Sequence, residues 1–269
     1  MEIHIISLLN ATERRDFQRA QFARIKLPFE FFDAVTINEV DQQEIRIKKD
    51  AWERPLMPTE VACFLSHFRL WMRVAKGEDA VLILEDDAIV ADSLPDFIGY
   101  IGSLDKVDYL SLETRGRKKL IGTVQSICGT LGIAPLYQDR TGAAAYVLWP
   151  SGAQVLVDQC LKKGAALTDA FISSNYQIRS WQAVPALCVQ SDMAEFYGLE
   201  NKLQTHSYIQ ENDLKSNYRA TGSLRWVFKA RRLLGQLRLA GRWSQKAFIS
   251  TRVLVDVHRP PYKVNAGDH

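Results

Sequence analysis

The stretch Ala80-Val81-Leu82-Ile83-Leu84-Glu85-Asp86-Asp87-Ala88-Ile89-Val90 decides the fold. An apolar run leads straight into three adjacent carboxylates, and apolar residues resume at once. The run is short and carries β-branched residues, which reads as a strand buried on both faces, as in a parallel sheet. Three neighbouring charges do not fit inside such a strand. The acids are therefore expected where it emerges at its carboxyl end, the edge beyond which open α/β sheets bind ligands. Side chains alternate along an extended chain, so Glu85 and Asp87 should point one way and Asp86 the other. Like charges this close raise one another's pKa unless a cation or positive group compensates. Hard oxygen ligands suit Mg²⁺ or Mn²⁺, which keep waters and bind substrate phosphates. The plainer reading is a strand ending in a solvated acidic turn.

Working outward, Ile3 to Leu9 reads as a first buried strand, Asn10-Ala11-Thr12 as a turn with Thr12 as N-cap, and Glu13 onward as a helix. No glycine-rich fingerprint follows this strand, so a glycine loop that cradles phosphate is not expected. Arg14 and Arg15 fall in the first helical turn, either as solvated charges or as diphosphate contacts. Pro28 to Val35 reads as a second strand ending near Asp33. Residues 38 to 58 are polar and irregular, either a loop over the site or a surface connection. Thr59 is the expected N-cap of a strongly apolar helix running to Val74. Ser66 and His67 lie within it, read either as satisfied core residues or as donor-pocket residues.

Beyond the acidic stretch, Leu94 to Ile101 reads as helical and Val107 to Thr114 as a strand that again ends in polar residues, Glu113 and Thr114. Arg115, Arg117, Lys118 and Lys119 form a basic cluster, solvated or facing an anionic acceptor. Residues 141 to 149 start small and become a strand; small side chains let a ligand or another backbone come close. Pro150-Ser151-Gly152 leads into a helix over residues 153 to 161. Asp169 heads an apolar segment, as an N-cap or as a reactive acid. Val184 to Gln190 is the last clear strand.

A chain of 269 residues, 47% apolar and 24% charged, is long enough to bury a large core and has the composition of a soluble globular protein. The formal net charge of +3 names no partner. Cys63, Cys128, Cys160 and Cys188 are widely spaced, which argues against a zinc site or a disulfide framework and fits a reducing, cytoplasmic compartment. Neither a signal peptide nor a membrane span is expected. From about residue 213 the character changes. Arg225, Lys229, Arg231, Arg232, Arg238, Arg242 and Lys246 are interleaved with Leu, Trp, Val and Phe, and no acid intervenes between Asp213 and Asp256. Such a basic amphipathic helical segment reads as lying on an anionic membrane surface, or as packing on the domain; nucleic-acid contact is disfavoured.

Taken in order, several blocks resemble glycosyltransferase family 25, and most of all its bacterial β-galactosyltransferases that extend lipooligosaccharide. They are Ile6-Ser7-Leu8 through Arg15, Pro28 to Ala34, Ala62-Cys63-Phe64-Leu65-Ser66-His67 through Trp71, Leu84 to Asp87, Leu112-Glu113-Thr114, Gly142 to Tyr146 and Pro185 to Cys188. The resemblance covers roughly residues 3 to 192, and an ordered set of blocks is far more specific than any one of them. It implies an α/β, GT-A-like nucleotide-sugar-binding fold with a mostly parallel central sheet in residues 1–212, followed by a basic helical tail in residues 213–269. It implies inverting transfer from a UDP-hexose, most simply galactose, to an oligosaccharide acceptor on lipid, at the inner face of the cytoplasmic membrane. Glu85-Asp86-Asp87 then plays the part of a DxD-type motif, with Glu85 and Asp87 on Mn²⁺ or Mg²⁺ and Asp86 on the donor. Ser7, Leu8, Arg14, Asp33, Ser66 and His67 complete the donor site. One departure is visible: the Gly-Thr-Ala-Gly-Tyr pattern associated with these galactosyltransferases reads Gly142-Ala143-Ala144-Ala145-Tyr146 here, which bears on the sugar transferred.

Inversion in one displacement needs a base within hydrogen-bond reach of the acceptor hydroxyl. Asp169 is the preferred base, with Glu113 and His67 as alternatives. A non-catalytic nucleotide-sugar or glycan-binding protein is the competing expectation. A glycosidase using two carboxylates is weaker, because nothing in sequence fixes their separation.

Overall fold

The computed structural model describes residues 1–40, 52–102, 104–139, 142–199, 203 and 224–258. Strand β1 (Glu2–Ser7) feeds helix α1 (Thr12–Arg24), then β2 (Glu30–Asp33) and α2 (Pro58–Val74). The acidic stretch supplies β3 (Val81–Glu85) and, after a two-residue turn at Asp86 and Asp87, β4 (Ala88–Val90). Then come α3 (Leu94–Ile101), β5 (Tyr109–Ser111), β6 (Lys118–Ile121), β7 (Gln125–Cys128), β8 (Leu131–Gln138) and β9 (Ala145–Leu148). Helices α4 (Pro150–Lys163) and α5 (Thr168–Ser173) precede β10 (Ser180–Val184) and β11 (Cys188–Gln190). The described chain closes with α6 (Leu224–Lys246) and β12 (Thr251–Leu254).

The central sheet has the order β12-β6-β8-β10-β5-β9-β3-β1-β2, with β7 also on β8. Strands β1, β2, β3, β5, β6, β7 and β10 run one way, while β8, β9 and β12 run against them. The expected mostly parallel α/β sheet is thus present, with antiparallel strands set into it. One of these, β9, lies between β3 and β5 and carries the small-residue segment up to the acidic turn.

The period of two along β3 sorts its side chains into two cores. Val81 and Ile83 join a cluster with α2, α4 and α5, including Phe64, Trp71, Leu156 and Phe171. Leu82 and Leu84 join the opposite cluster with Phe22 of α1, Phe97 of α3 and Ile89 of β4. Leu82, Ile83 and Leu84 are fully buried, each stabilising the fold by about 1.5–3 kcal/mol. The sheet is therefore covered on both faces, which is why its central strand reads as continuously apolar.

Several boundaries differ from expectation. Helix α1 starts at Thr12, with Ala11 in the N-cap position and its carbonyl accepting from Arg15 N–H at 2.9 Å. Helix α2 starts one residue before Thr59, at Pro58, whose fixed φ suits the first helical position; there Glu60 accepts the Met57 N–H at 2.9 Å. The strand expected from Val184 to Gln190 divides at Pro185, which has no N–H to continue a ladder. Only Val184 belongs to β10 of the central sheet, whose other residues precede the expected strand, and β11 pairs with β4 in a separate small sheet. Residues 118 to 138, of which only Lys118 and Lys119 were read, as part of a basic cluster, form three strands. The tail is not helical throughout, since β12 pairs antiparallel with β6, and Val255 and Val257 beyond it are buried. The expected boundary at residues 212/213 and most of the 38–58 segment lie outside the described residues.

Candidate functional site

Two buried amides fix the acidic turn from below. Gln18 Nε2 donates to the carbonyls of Asp86 (3.0 Å) and Ala88 (2.9 Å). Gln21 donates to the Ala88 carbonyl and accepts from Val90 N–H, each at 3.0 Å. From above, Ser191 N–H donates to the Asp87 carbonyl at 3.0 Å. With its backbone groups satisfied in this way, the turn presents its carboxylates in a fixed arrangement.

The three carboxylates face different partners; Asp86 and Asp87 form a turn, so strand alternation does not fix where they point. Asp86 turns toward β1 and α1, where Ser7 Oγ donates to Oδ2 (2.7 Å) and Arg14 Nη1 to Oδ1 (2.8 Å). Glu85 turns toward α2 and β11. His67 Nε2 stands 3.3 Å from its Oε1, and Gln190 Nε2 donates to Oε2 at 2.9 Å. Burial alone would raise the Glu85 carboxyl's pKa, but the hydrogen bond and charge interaction with His67 hold it below the ordinary value. An ionised carboxylate only accepts, so His67 carries a proton on Nε2. Its Nδ1 lies 2.9 Å from the Tyr146 hydroxyl, which also accepts from Trp71 Nε1 at 2.8 Å. A relay from Trp71 through Tyr146 and His67 thus orients Glu85.

Asp87 has the least support. Its Oδ1 is buried and has no hydrogen-bond partner among the described residues. Burial, then the charges of Glu85 and Asp86, push its pKa up to about 7. A buried, unpartnered carboxylate oxygen beside an ionised carboxylate leaves room for a compensating cation or a proton. Glu85 and Asp87 therefore fit a divalent ion that prefers oxygen ligands. A softer set overlaps them: Cys63, His67 and Glu85 each offer an atom within 4.8 Å of the others. Burial drives the Cys63 thiol far above its usual range and keeps its proton on, so the carboxylates are the better match for a hard cation.

Asp169 lines an open cleft together with Tyr109, Asp139, Gly142, Tyr176 and Arg242, and none of the turn's three carboxylates is among its lining residues. Asp169 sits in the first turn of α5 and accepts the N–H of Ala170 at 2.7 Å. Burial raises its pKa, and the Glu85 charge adds to the shift. Arg242 of α6 donates to the Tyr137 carbonyl at 3.2 Å, its guanidinium 4.8 Å from the Tyr176 ring centre. Asp139 is paired with Lys119 at 2.7 Å.

The turn thus gathers Ser7, Arg14, Glu85, Asp86, Asp87 and His67, while Asp169 stands apart from it in the wall of the cleft. Leu8 joins through its carbonyl, which accepts Arg15 Nε at 3.1 Å. Asp33 closes β2, level with Ser7, and pairs with Arg15 Nη2 at 2.5 Å while staying largely exposed. Three expectations need correction. Ser66 does not line a pocket: its hydroxyl donates to the Ala62 carbonyl (2.8 Å) and accepts the Val35 N–H (2.9 Å), both inside the core. Glu113 is fully buried, with Oε2 accepting the Ala144 N–H at 2.9 Å, so it braces the small-residue segment rather than meeting an acceptor. Burial pushes its pKa up to about 8. Lys119, read as part of an exposed cluster, is buried, with Nζ donating to the Glu113 carbonyl (2.9 Å) and Gln182 Oε1 (2.6 Å). Gln18, Gln21 and Gln190 were missed, because a glutamine in a polar helix or at a strand end carries no local signal of burial.

The family model for glycosyltransferase family 25, described as an LPS biosynthesis protein family, matches residues 1–172. The chain is 25% identical over 264 residues to the lacto-N-neotetraose biosynthesis glycosyltransferase LgtE of Neisseria gonorrhoeae, covering 91% of this chain and 92% of that one. It is 28% identical over 208 residues to LgtB of Neisseria meningitidis, with 71% and 75% covered. It is 24% identical over 226 residues to the lipooligosaccharide biosynthesis protein lic2B of Haemophilus influenzae, with 77% and 81% covered.

Proposed function

Because the chain belongs to glycosyltransferase family 25, we propose that it moves a hexose, galactose first among them, from a UDP-sugar to a lipooligosaccharide acceptor with inversion at the anomeric carbon. Residues 1–212 serve as a GT-A-like catalytic unit, completed by β12. The reading is carried by the acidic turn, where a buried, unpartnered Asp87 oxygen stands beside an ionised Glu85 at the carboxyl end of β3.

In this reading Glu85 and Asp87 hold Mn²⁺ or Mg²⁺, which when bound offsets the negative charge on the departing diphosphate. Asp86, held by Ser7 and Arg14, keeps free lone pairs for a hydroxyl of the donor, and Asp33 does the same from the end of β2. The Trp71–Tyr146–His67 relay holds Glu85 in place. Asp169 takes the proton from the acceptor hydroxyl as its oxygen bonds to the anomeric carbon and the bond to UDP breaks. Burial suits Asp169 to this work, because a carboxylate with a raised pKa is a stronger base. Tyr176 and Arg242 form the outer wall against which an acceptor sugar rests.

UDP release from a panel of UDP-hexoses, with and without Mn²⁺ and acceptor glycans, tests the proposal. Metal-dependent release that rises with acceptor is expected. Tight UDP-sugar binding without turnover under every condition would leave a binding protein instead.

A further inference from the structure

Helix α6 presents two unlike faces. Phe228, Arg231, Gly235, Leu239, Arg242 and Lys246 recur every three or four residues and are its less exposed positions, so they mark one face at 3.6 residues per turn. This face meets the body of the protein. Arg231 Nη1 donates to the Trp52 carbonyl at 3.1 Å, and Arg242 reaches the carbonyl of Tyr137. The opposite face carries Trp226, Ala230, Leu233 and Leu237, all exposed; Trp226 is 73%, Leu233 57% and Leu237 59% accessible. Lys229 and Arg232 flank this stripe on one side and Arg238 on the other, with Lys229 Nζ 4.8 Å from the Trp226 ring centre. Just past the helix, Phe248 is fully exposed. The sequence shows an amphipathic helix, but only the structure shows that its apolar stripe is turned away from the protein.

We infer that α6 docks the protein on an anionic lipid surface, with the Trp226–Leu233–Leu237 stripe in the headgroup boundary and the flanking cations on acidic headgroups. The charge pattern selects this occupant. Helix α6 contains no Asp or Glu, so pairing with a second copy would bring cation against cation, whereas anionic headgroups neutralise them. Among the described residues no helix is long and apolar enough to cross a membrane, so α6 lies on the surface rather than spanning it. The inner face of the same helix supplies Arg242 to the cleft that holds Asp169. Docking therefore holds that cleft one helix diameter, about 10 Å, from the lipid surface that carries the acceptor. This last step rests on the function proposed above; the docking itself does not.

Co-sedimentation of the full chain with vesicles tests the docking. Binding to phosphatidylglycerol–phosphatidylcholine vesicles should exceed binding to pure phosphatidylcholine by at least about tenfold and weaken with added salt. L233E/L237E should lose most of it while releasing UDP with a soluble acceptor at the wild-type rate. Equal binding of wild type and variant would overturn the inference. So would light scattering that shows a dimer dissociated by L233E/L237E without lipid, or a DNA duplex bound more tightly than the vesicles. Vesicle binding without UDP release would sink the enzyme reading and leave the docking intact.

Discussion

At the scale of single residues, the site is a set of carboxylates driven apart by their surroundings. Glu85 is held ionised by His67, and Asp87 and Asp169 are both pushed up by burial. If Asp169 is the base it must be ionised to work, so activity should rise with pH through an acid limb above the ordinary aspartate range near 3.9. Asp169→Asn should cost about 10²–10⁴-fold in kcat/KM while UDP-sugar affinity stays within error. A limb at the ordinary value, or transfer at the normal rate by the variant, would remove Asp169 from this role. Glu113 makes a different prediction. Its native pKa, about 8, lies above the unfolded value of 4.5, so the folded state prefers the proton. The stability it contributes is complete below about pH 4.5 and is lost as pH rises through about 8. Glu113→Gln, which keeps an acceptor for the Ala144 N–H, should remove that part of the decline in Tm between pH 5 and pH 8. Parallel melting curves for wild type and variant would contradict it.

At the scale of elements, the segment before β9 links Glu113 to the acidic turn. Gly142 has φ of +117°, and a Cβ there would lie 2.8 Å from Glu113 Oε2. Two residues on, the Ala144 carbonyl accepts the Glu85 N–H at 2.9 Å. Strain at Gly142 would therefore reach the turn directly. Gly142→Ala should destabilise the fold by about 1–3 kcal/mol and lower UDP release by more than its loss of folded protein explains. Unchanged melting would show that the segment has more slack than this geometry allows. The elements legible from sequence were those with a strong period. Strand β3 declared itself by an apolar run cut off by acids, and α2 by its stripe from Val61 to Val74. Strands β6 to β8 were not legible. Lys118 and Lys119 look solvated in sequence, and only the buried partners Asp139, Gln182 and Ser111 turn Lys119 inward. Ser66 allowed two readings in sequence, and its backbone partners at Ala62 and Val35 decide for the satisfied core residue over the donor pocket.

At the scale of the whole molecule, the last described residues lock the fold. Strand β12 covers the edge of β6, Val255 and Val257 are buried, and the carbonyls of Val255 and Asp256 accept from Thr114 Oγ1 and Ala186 N–H at 2.8 Å each. Deleting residues 251–269 should uncover that edge and part of the core, lowering Tm by several degrees and favouring aggregation. L233E/L237E, which alters only solvent-facing positions, should melt like the wild type, and comparing the two variants checks the division of the tail into an outward face and a structural strand. The sequence by itself determined the α/β class, the carboxyl-end location of the acidic turn and the amphipathic character of the tail, because each depends on periodicity within one short segment. Only the tertiary structure decided which acid meets which partner, that Glu113 and Lys119 are buried, and which face of α6 looks outward. Those outcomes depend on contacts between residues dozens of positions apart, such as Ser7 with Asp86, Lys119 with Asp139 and Arg231 with Trp52, and no local pattern encodes them.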